Sequence, residues 1–333
     1  MAIQHAILHH IHKPEGGAVL LAPRSTELPL TAALDELIGK INATYNNRSG
    51  KIYGNFQADA AAYPCRTWLQ AHLDGEIDFS EFSRRLLDRL QQQLSGQEEA
   101  LSGYLMLVRL RVLEVDQLLV LLLSTAPSVV INEQLDLSDA QHLDIGKIQL
   151  GAKINLDEWR RDGGQQYCSF IRGRSGKSAS EAFINTLGCT EEADARQQTQ
   201  TLLRVFNDYC GEQQLDPGKS SEVRQKAYAY CSDQAEQGDR VRLKELSCII
   251  DTEDPDKFFN YAGNQEGELM AEIPADRRGL QKFVRYSGSM KGLSVSFSEM
   301  LLGEQVVYDP ASDTLTIRGL PTTLRKQLDR GRS

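Results

Sequence analysis

Apolar positions repeat with two different periods along the chain, and the period identifies the element. Residues 2–12 alternate loosely between apolar and polar, the pattern of a first strand, and a Gly16-Gly17 turn ends it. Leu30, Leu34, Leu37, Ile38, Ile41 and Tyr45 then recur at helical spacing and predict an amphipathic helix. A second helix is predicted from Asp78, where Glu81 three residues on completes a capping box and Phe82, Leu86, Leu87, Leu90 and Leu94 form the apolar stripe. Residues 101–124 are apolar and β-rich around a polar break at 114–117, as in a hairpin of two long strands. Strand-like pieces at 129–132 and 145–156 extend the same sheet. The longest unbroken apolar run, 118–123, is far shorter than the roughly 20 residues a membrane-crossing helix needs, so it predicts a buried strand.

After Trp159 the polar stretch Arg160-Arg161-Asp162-Gly163-Gly164 marks a domain boundary. A short strand at 167–171 leads into helices: Ser178 with Glu181 caps one, Leu202, Val205, Phe206 and Tyr209 stripe the next, and Val223, Ala227, Tyr230 and Cys231 stripe a third. Asp254-Pro255 starts a short one. The tail returns to strands, with Leu293, Val295 and Phe297 alternating and 306–308 and 314–317 joined by the turn sequence 309–313. Strands and helices do not alternate as a βαβ array requires, so the expected class is α+β. A mixed sheet with amphipathic helices fills the N-terminal half, and a helix-rich C-terminal half closes with short antiparallel strands. The expected domains are 1–157, available for protein contacts, and 158–333, carrying the basic segments.

Composition narrows the class of protein. With 333 residues, 41% apolar and 25% charged, the chain is long enough for two domains and is not disordered, collagen-like or a disulfide framework. Taken as one number, a net charge of −9 argues against a polyanionic partner. Counting by segment reverses that. Residues 159–177 hold Arg160, Arg161, Arg172, Arg174 and Lys177 against Asp162. Residues 277–291 hold Arg277, Arg278, Lys282, Arg285 and Lys291 with no acid, and 318–333 hold Arg318, Arg325, Lys326, Arg330 and Arg332 against Asp329. These 50 residues carry +13, which leaves −22 on the other 283. Phosphate neutralisation depends on local Lys and Arg density, so all of these basic residues except Arg332 are candidate contacts to a DNA backbone. The bland alternative is that each cluster is a solvated, salt-bridged face.

Other motifs weigh less. Gly173-Arg174-Ser175-Gly176-Lys177-Ser178 invites a phosphate-loop reading, but the full motif needs a glycine five residues before Gly176, and position 171 is Ile. What survives is a glycine loop at a helix N-terminus, bearing Arg172, Arg174 and Lys177, that suits a phosphate of any origin. His5, His9, His10 and His12 are expected to be satisfied strand histidines, because an extended strand places His9 on the face opposite His10 and His12. His72 and His142 are isolated, and no Gly-x-Ser-x-Gly elbow is present, so neither a catalytic site nor a metal or cofactor is expected. Six scattered cysteines read as reduced, mostly buried thiols. Aromatic residues do not interleave with the basic runs, apart from Tyr286 between Arg285 and Lys291. The N-terminal residues Met-Ala-Ile-Gln-His carry no secretory pattern, which predicts a cytoplasmic protein.

Several stretches together resemble the bacterial 37-kDa nucleoid-associated protein family: the run from Tyr167 through Phe170, Arg172, Gly173, Arg174 and Gly176 to Lys177, closing on Phe183 and Leu187-Gly188. The tail joins them with Leu301-Leu302-Gly303-Glu304, Asp309-Pro310, Asp313 to Gly319, Leu324-Arg325 and Gln327-Leu328, as do Asn132-Glu133 to Asp136 and Leu143-Asp144-Ile145. The resemblance spans nearly the whole chain and is least distinctive over the first 100 residues. It implies a non-enzymatic protein of the cytoplasmic nucleoid that binds double-stranded DNA without strong sequence preference, as a homodimer, alongside type II topoisomerases. The family defines no single catalytic residues to carry over. The alternative is an adaptor whose acidic surface docks on a basic DNA enzyme such as a type II topoisomerase.

Overall fold

The computed structural model describes residues 1–161, 164, 166–171, 176–213, 217–264 and 269–330. The chain divides into two compact units: 1–198 with 235–239, and 199–234 with 240–333.

The first unit is built on β1 (Ala2–Lys13), β2 (Leu20–Ala22), α1 (Ala32–Asn46), β3 (Lys51–Gly54), α2 (Cys65–Leu73), α3 (Phe79–Leu94), β4 (Leu101–Val112), β5 (Val115–Ile131) and β6 (Leu137–Asn155). There follow α4 (Leu156–Arg160), β7 (Cys168–Ile171), α5 (Lys177–Leu187) and β8 (Ala193–Asp194). Eight strands form one sheet in the order β2-β1-β4-β5-β6-β7-β3-β8, every neighbouring pair antiparallel. Both faces are covered, which explains the unbroken apolar run in β5. Leu118, Val120 and Leu122 pack in one cluster with Phe82, Leu86, Leu87 and Leu90 of α3 and Phe183 of α5. Leu119, Leu121 and Leu123 face the other way, onto Ile38, Ile41 and Tyr45 of α1. A strand buried on both sides needs apolar residues at every position rather than at alternate ones.

Local chemistry sets most element ends. Asp78 caps α3 as expected, its carboxylate accepting from the Glu81 amide at 2.7 Å. Four expectations change. The β4–β5 turn is Leu113-Glu114, both at positive φ, so Asp116 and Gln117 lie in the strand, where Asp116 is buried and pairs with Arg109 at 2.7 Å. The pieces at 129–132 and 145–156 are ends of the same two long strands, β5 and β6, rather than separate additions. Helix α2 had no clear stripe in the sequence, because only Cys65, Leu69 and His72 of its nine residues turn inward. Helix α5 begins at Gly176 and Lys177 without a side-chain cap, which places Ser178 inside its first turn.

The expected division at 157 falls inside this sheet. Beyond Trp159, β7 pairs with both β6 and β3, and α5 packs on the core, so these elements belong to the first unit despite the change in composition. Residues 235–239 belong there too: the Asn46 amide donates to the carbonyls of Glu236 and Gln237.

The second unit contains most of α6 (Ala195–Glu212) and α7 (Pro217–Gln237), then β9 (Val241–Arg242), α8 (Leu243–Ile250), α9 (Lys257–Gly263), β10 (Glu272–Ile273) and α10 (Arg277–Leu280). Its core holds the predicted stripes except Tyr230, which is half-buried and donates to Glu245, with Phe206 edge-on to Phe258 and Phe283 at 6.0 and 5.0 Å. It closes with two hairpins, β11 (Arg285–Met290) with β12 (Leu293–Ser298) and β13 (Val306–Asp309) with β14 (Thr314–Ile317), and a terminal helix α11 (Thr322–Arg330). The class is α+β as expected, but the N-terminal sheet is wholly antiparallel rather than mixed.

Candidate nucleic-acid interface

The basic residues divide unequally between the units. Arg160, Arg161 and Lys177 lie in the first unit, Arg172 and Arg174 lie outside the described residues, and the remaining nine candidates are in the second.

In the first unit, Asn155 caps α4 and Trp159 packs edge-on to Phe56 at 5.3 Å, which leaves Arg160 and Arg161 exposed at the helix end. Arg161 is held by Glu158 at 2.9 Å, so part of its charge is answered locally. Lys177 opens α5, fully exposed, 3.7 Å from Glu181. Gly176 is at φ +92°, and a Cβ there would run into the carboxylate of Glu99. The chain's own acid therefore stands beside the helix N-terminus where the sequence suggested an incoming phosphate.

The longest uninterrupted basic stretch is in the second unit. Asp276 caps α10 by accepting from the Gly279 amide at 2.9 Å, while its own N–H donates to Thr199 Oγ1 at 2.7 Å. Leu280 and Phe283 point inward, so Arg278 and Lys282 point out, with Arg277 half-buried between them. The chain then enters the β11–β12 hairpin. Arg285 donates to Ser296 Oγ across the strands at 3.0 Å, Tyr286 packs on Phe297 at 5.5 Å, and Lys291 sits on the turn, where Gly292 takes φ +82°. Arg278, Lys282, Arg285 and Lys291 are all exposed and make no ion pair among the described residues. Contrast Arg224 of the same unit, whose guanidinium is buried against Glu299 at 3.2 Å and over the Phe206 ring. The third group is equally open: Arg318 follows β14, and Arg325, Lys326 and Arg330 are exposed on α11, which buries none of its residues.

The remaining candidate chemistry resolves into structure. His9 is fully buried between Ser83 and the Arg24 amide, His5 pairs with Glu27 at 3.0 Å, and His12 bonds Ser102 at 2.6 Å. All six cysteines are free, five of them buried; Cys248 is exposed. An open cleft of about 380 Å³ in the second unit is lined by Ser220, Ser221, Tyr286, Glu299, Met300 and Glu304, a set whose carboxylates do not suit a phosphate. Burial raises the Glu299 carboxyl above its ordinary range, against the pull of Arg224.

What the sequence reading missed is apolar. Met290, Leu293, Met300, Tyr308 and Leu328 are exposed in the closing hairpins and α11, and Val129, Ile131, Leu135 and Leu137 at the far end of β5 and β6. The alternation in the tail was visible; that Leu293 is exposed and Val295 and Phe297 only half-buried was not.

A profile of the family described as nucleoid-associated protein YejK matches residues 7–325. Proteins named nucleoid-associated protein from Pseudomonas putida and Metapseudomonas resinovorans are each 38% identical to the chain, over 99% of its length and at least 99% of theirs. One from Pseudomonas savastanoi is 39% identical over 99% of the chain and 100% of its own length.

Proposed function

Because the chain belongs to the nucleoid-associated protein family described by YejK, and so to the nucleoid of the bacterial cytoplasm, we propose that it is an architectural DNA-binding protein without catalytic activity. It binds double-stranded DNA through backbone phosphates, with little sequence preference, acts as a homodimer and contributes to chromosome organisation. The observation that carries this reading is the stretch 277–291. Arg278, Lys282, Arg285 and Lys291 stand exposed and unpaired among the described residues, over a segment with no acid. Backbone contacts need cations free to replace condensed counterions, and a cation already held in an ion pair contributes less. The bases of α11 and Arg318 supply further contacts of the same kind, and Arg160, Arg161, Arg172, Arg174 and Lys177 supply those of the first unit. The acidic remainder keeps DNA from coating the whole surface. Exposed apolar residues support self-association, since patches of this kind mark protein contacts. No observation among the described residues, and none of the relatives named above, favours the adaptor alternative.

A titration of random duplex DNA against the protein at increasing salt tests the reading. The log–log plot of affinity against salt should fall with a slope of about −0.9 per phosphate contact. Changing Arg278, Lys282, Arg285 and Lys291 to Ala should make it shallower by about 0.9 for each phosphate no longer neutralised. Binding unchanged between low and moderate salt would falsify the proposal. Plasmid and nucleotides incubated with the protein and Mg²⁺ should be recovered intact.

A further inference from the structure

Strands β5 and β6 run past the sheet that holds them. Pairing between β4 and β5 ends at Tyr104 and Leu123, and pairing between β6 and β7 covers only Gly151 to Ile154. From Thr125, paired with Leu143, to Ile131, paired with Leu137, the two strands pair only with each other among the described residues. The tip is built rather than loose: Asn132 Oδ1 accepts from the amides of Gln134 and Asp136, each at 3.0 Å. One face of this ribbon carries Pro127, Val129, Ile131 and Leu137, with Ile131 68% and Leu137 73% exposed, together with Asp139, Gln141 and Leu143, the last half-buried against the core. A two-stranded ribbon with an apolar face is at best marginally stable alone, whereas a sheet of more strands holds.

The occupant can be read from charge and register. Residues 125–146 contain Glu133, Asp136, Asp139 and Asp144 and no Lys or Arg, so the ribbon repels DNA. Its β5 edge carries Pro127, a residue that discourages pairing, while 137–143 of β6 carry no Pro, Lys or Arg. That edge, Leu-Ser-Asp-Ala-Gln-His-Leu, is complementary to itself. Laid antiparallel about Ala140, Leu137 lies opposite the partner's Leu143, Ser138 opposite the partner's His142, and Asp139 opposite the partner's Gln141. Moving the centre to 139 sets Asp139 against itself, and moving it to 141 sets Asp139 against Leu143, so only the centre at 140 matches apolar with apolar and separates like charges. The pairing stops short of Asp136 and Asp144, and Asp144 is already answered by Lys147 at 3.5 Å.

We propose that the 137–143 edge of β6 is a homodimer interface: two copies pair antiparallel about a two-fold axis at Ala140, making one four-stranded sheet in which Leu137–Leu143 pairs flank a polar centre of Asp139 and Gln141. This rests on the homodimer reading above and names its surface. Ala140 is the one position that meets itself, and it is half-exposed opposite Ser128 on its own ribbon, so a long charged side chain can be solvated there in the monomer.

Size-exclusion chromatography with light scattering tests the proposal. The wild type should elute at twice the 37.2 kDa chain mass. Ala140→Lys and Ala140→Glu, which set like charges opposite one another, should each weaken dimerisation by up to about fivefold. An equimolar mixture of the two should recover the dimer, which also shows that both variants fold. If both variants remain as dimeric as the wild type, the interface lies elsewhere and the proposal is overturned while the homodimer reading stands. A monomeric wild type overturns both. The DNA titration succeeds or fails independently of either result.

Discussion

His9 illustrates how packing alone changes a residue's chemistry. Ser83 Oγ donates to the Ser80 carbonyl, so it accepts from His9 Nε2, and His9 Nδ1 in turn accepts from the Arg24 amide. Both ring nitrogens are committed to the neutral form, and a proton on Nδ1 would face another N–H. Burial, with Arg84 adding to it, lowers the imidazole from 6.5 to about 4. In the unfolded chain the ring protonates near 6.5, in the folded chain only near 4, so the unfolded state binds the extra proton between these values. Stability should therefore fall as pH drops from 6.5 to 4, by about 3 kcal/mol for this group. Urea unfolding across that range should show the acid limb, and His9→Gln, which keeps one donor and one acceptor, should flatten it; an unchanged limb would sink the assignment. Lys153 follows the same logic at alkaline pH. Burial, then the nearby Lys51, lowers its ammonium to about 7 against the pull of Asp239, while Asn42 and Asn46 accept its hydrogen bonds. Its unfolded value is the higher one, so stability should fall as pH drops from about 10 to 7. That decline should be absent in Lys153→Met, measured by the same unfolding series.

At the scale of the element, period and capping were legible where one face meets the core and the other meets water. Helices α3 and α6 followed that rule, and their stripes are buried; in α1 only Ile38, Ile41 and Tyr45 are, with Leu34 and Leu37 half-buried and Leu30 exposed ahead of the helix. Short elements escaped it: α2 turns only three residues inward, and the Leu113-Glu114 turn uses neither Gly nor Asn. Helix α11 is the opposite case, a stripe of which no residue is buried. Leu324 and Leu328 share one face and Lys326 and Arg330 another, yet all are exposed, and a nine-residue helix has little stability of its own. If its bases grip phosphates, Arg325→Ala, Lys326→Ala and Arg330→Ala combined should lower affinity for two unrelated duplexes by the same factor in fluorescence anisotropy. Loss confined to one duplex would mean base reading instead.

Across the whole molecule, the figure of −9 conceals a segregation that the fold makes concrete. Nine of the candidate bases belong to the second unit, while the first carries the acidic ribbon and answers two of its own described bases with Glu158 and Glu181. A single net charge describes long-range repulsion, whereas a DNA backbone meets only the surface within about a Debye length. The density of Lys and Arg, the spacing of apolar residues and the capping box at Asp78 are local properties, so the sequence by itself determined the class of the fold, most of its elements and where positive charge concentrates. Strand partners, burial and edges are non-local. Only the tertiary structure decided that β7 joins the first sheet and α5 packs on its core, that β5 is covered on both faces, that Glu99 stands at the start of α5, and that β6 leaves a self-complementary edge open. Each depends on which distant residues share a neighbourhood, and hydrogen bonding between strands and exclusion of water choose those neighbours without regard to separation along the chain.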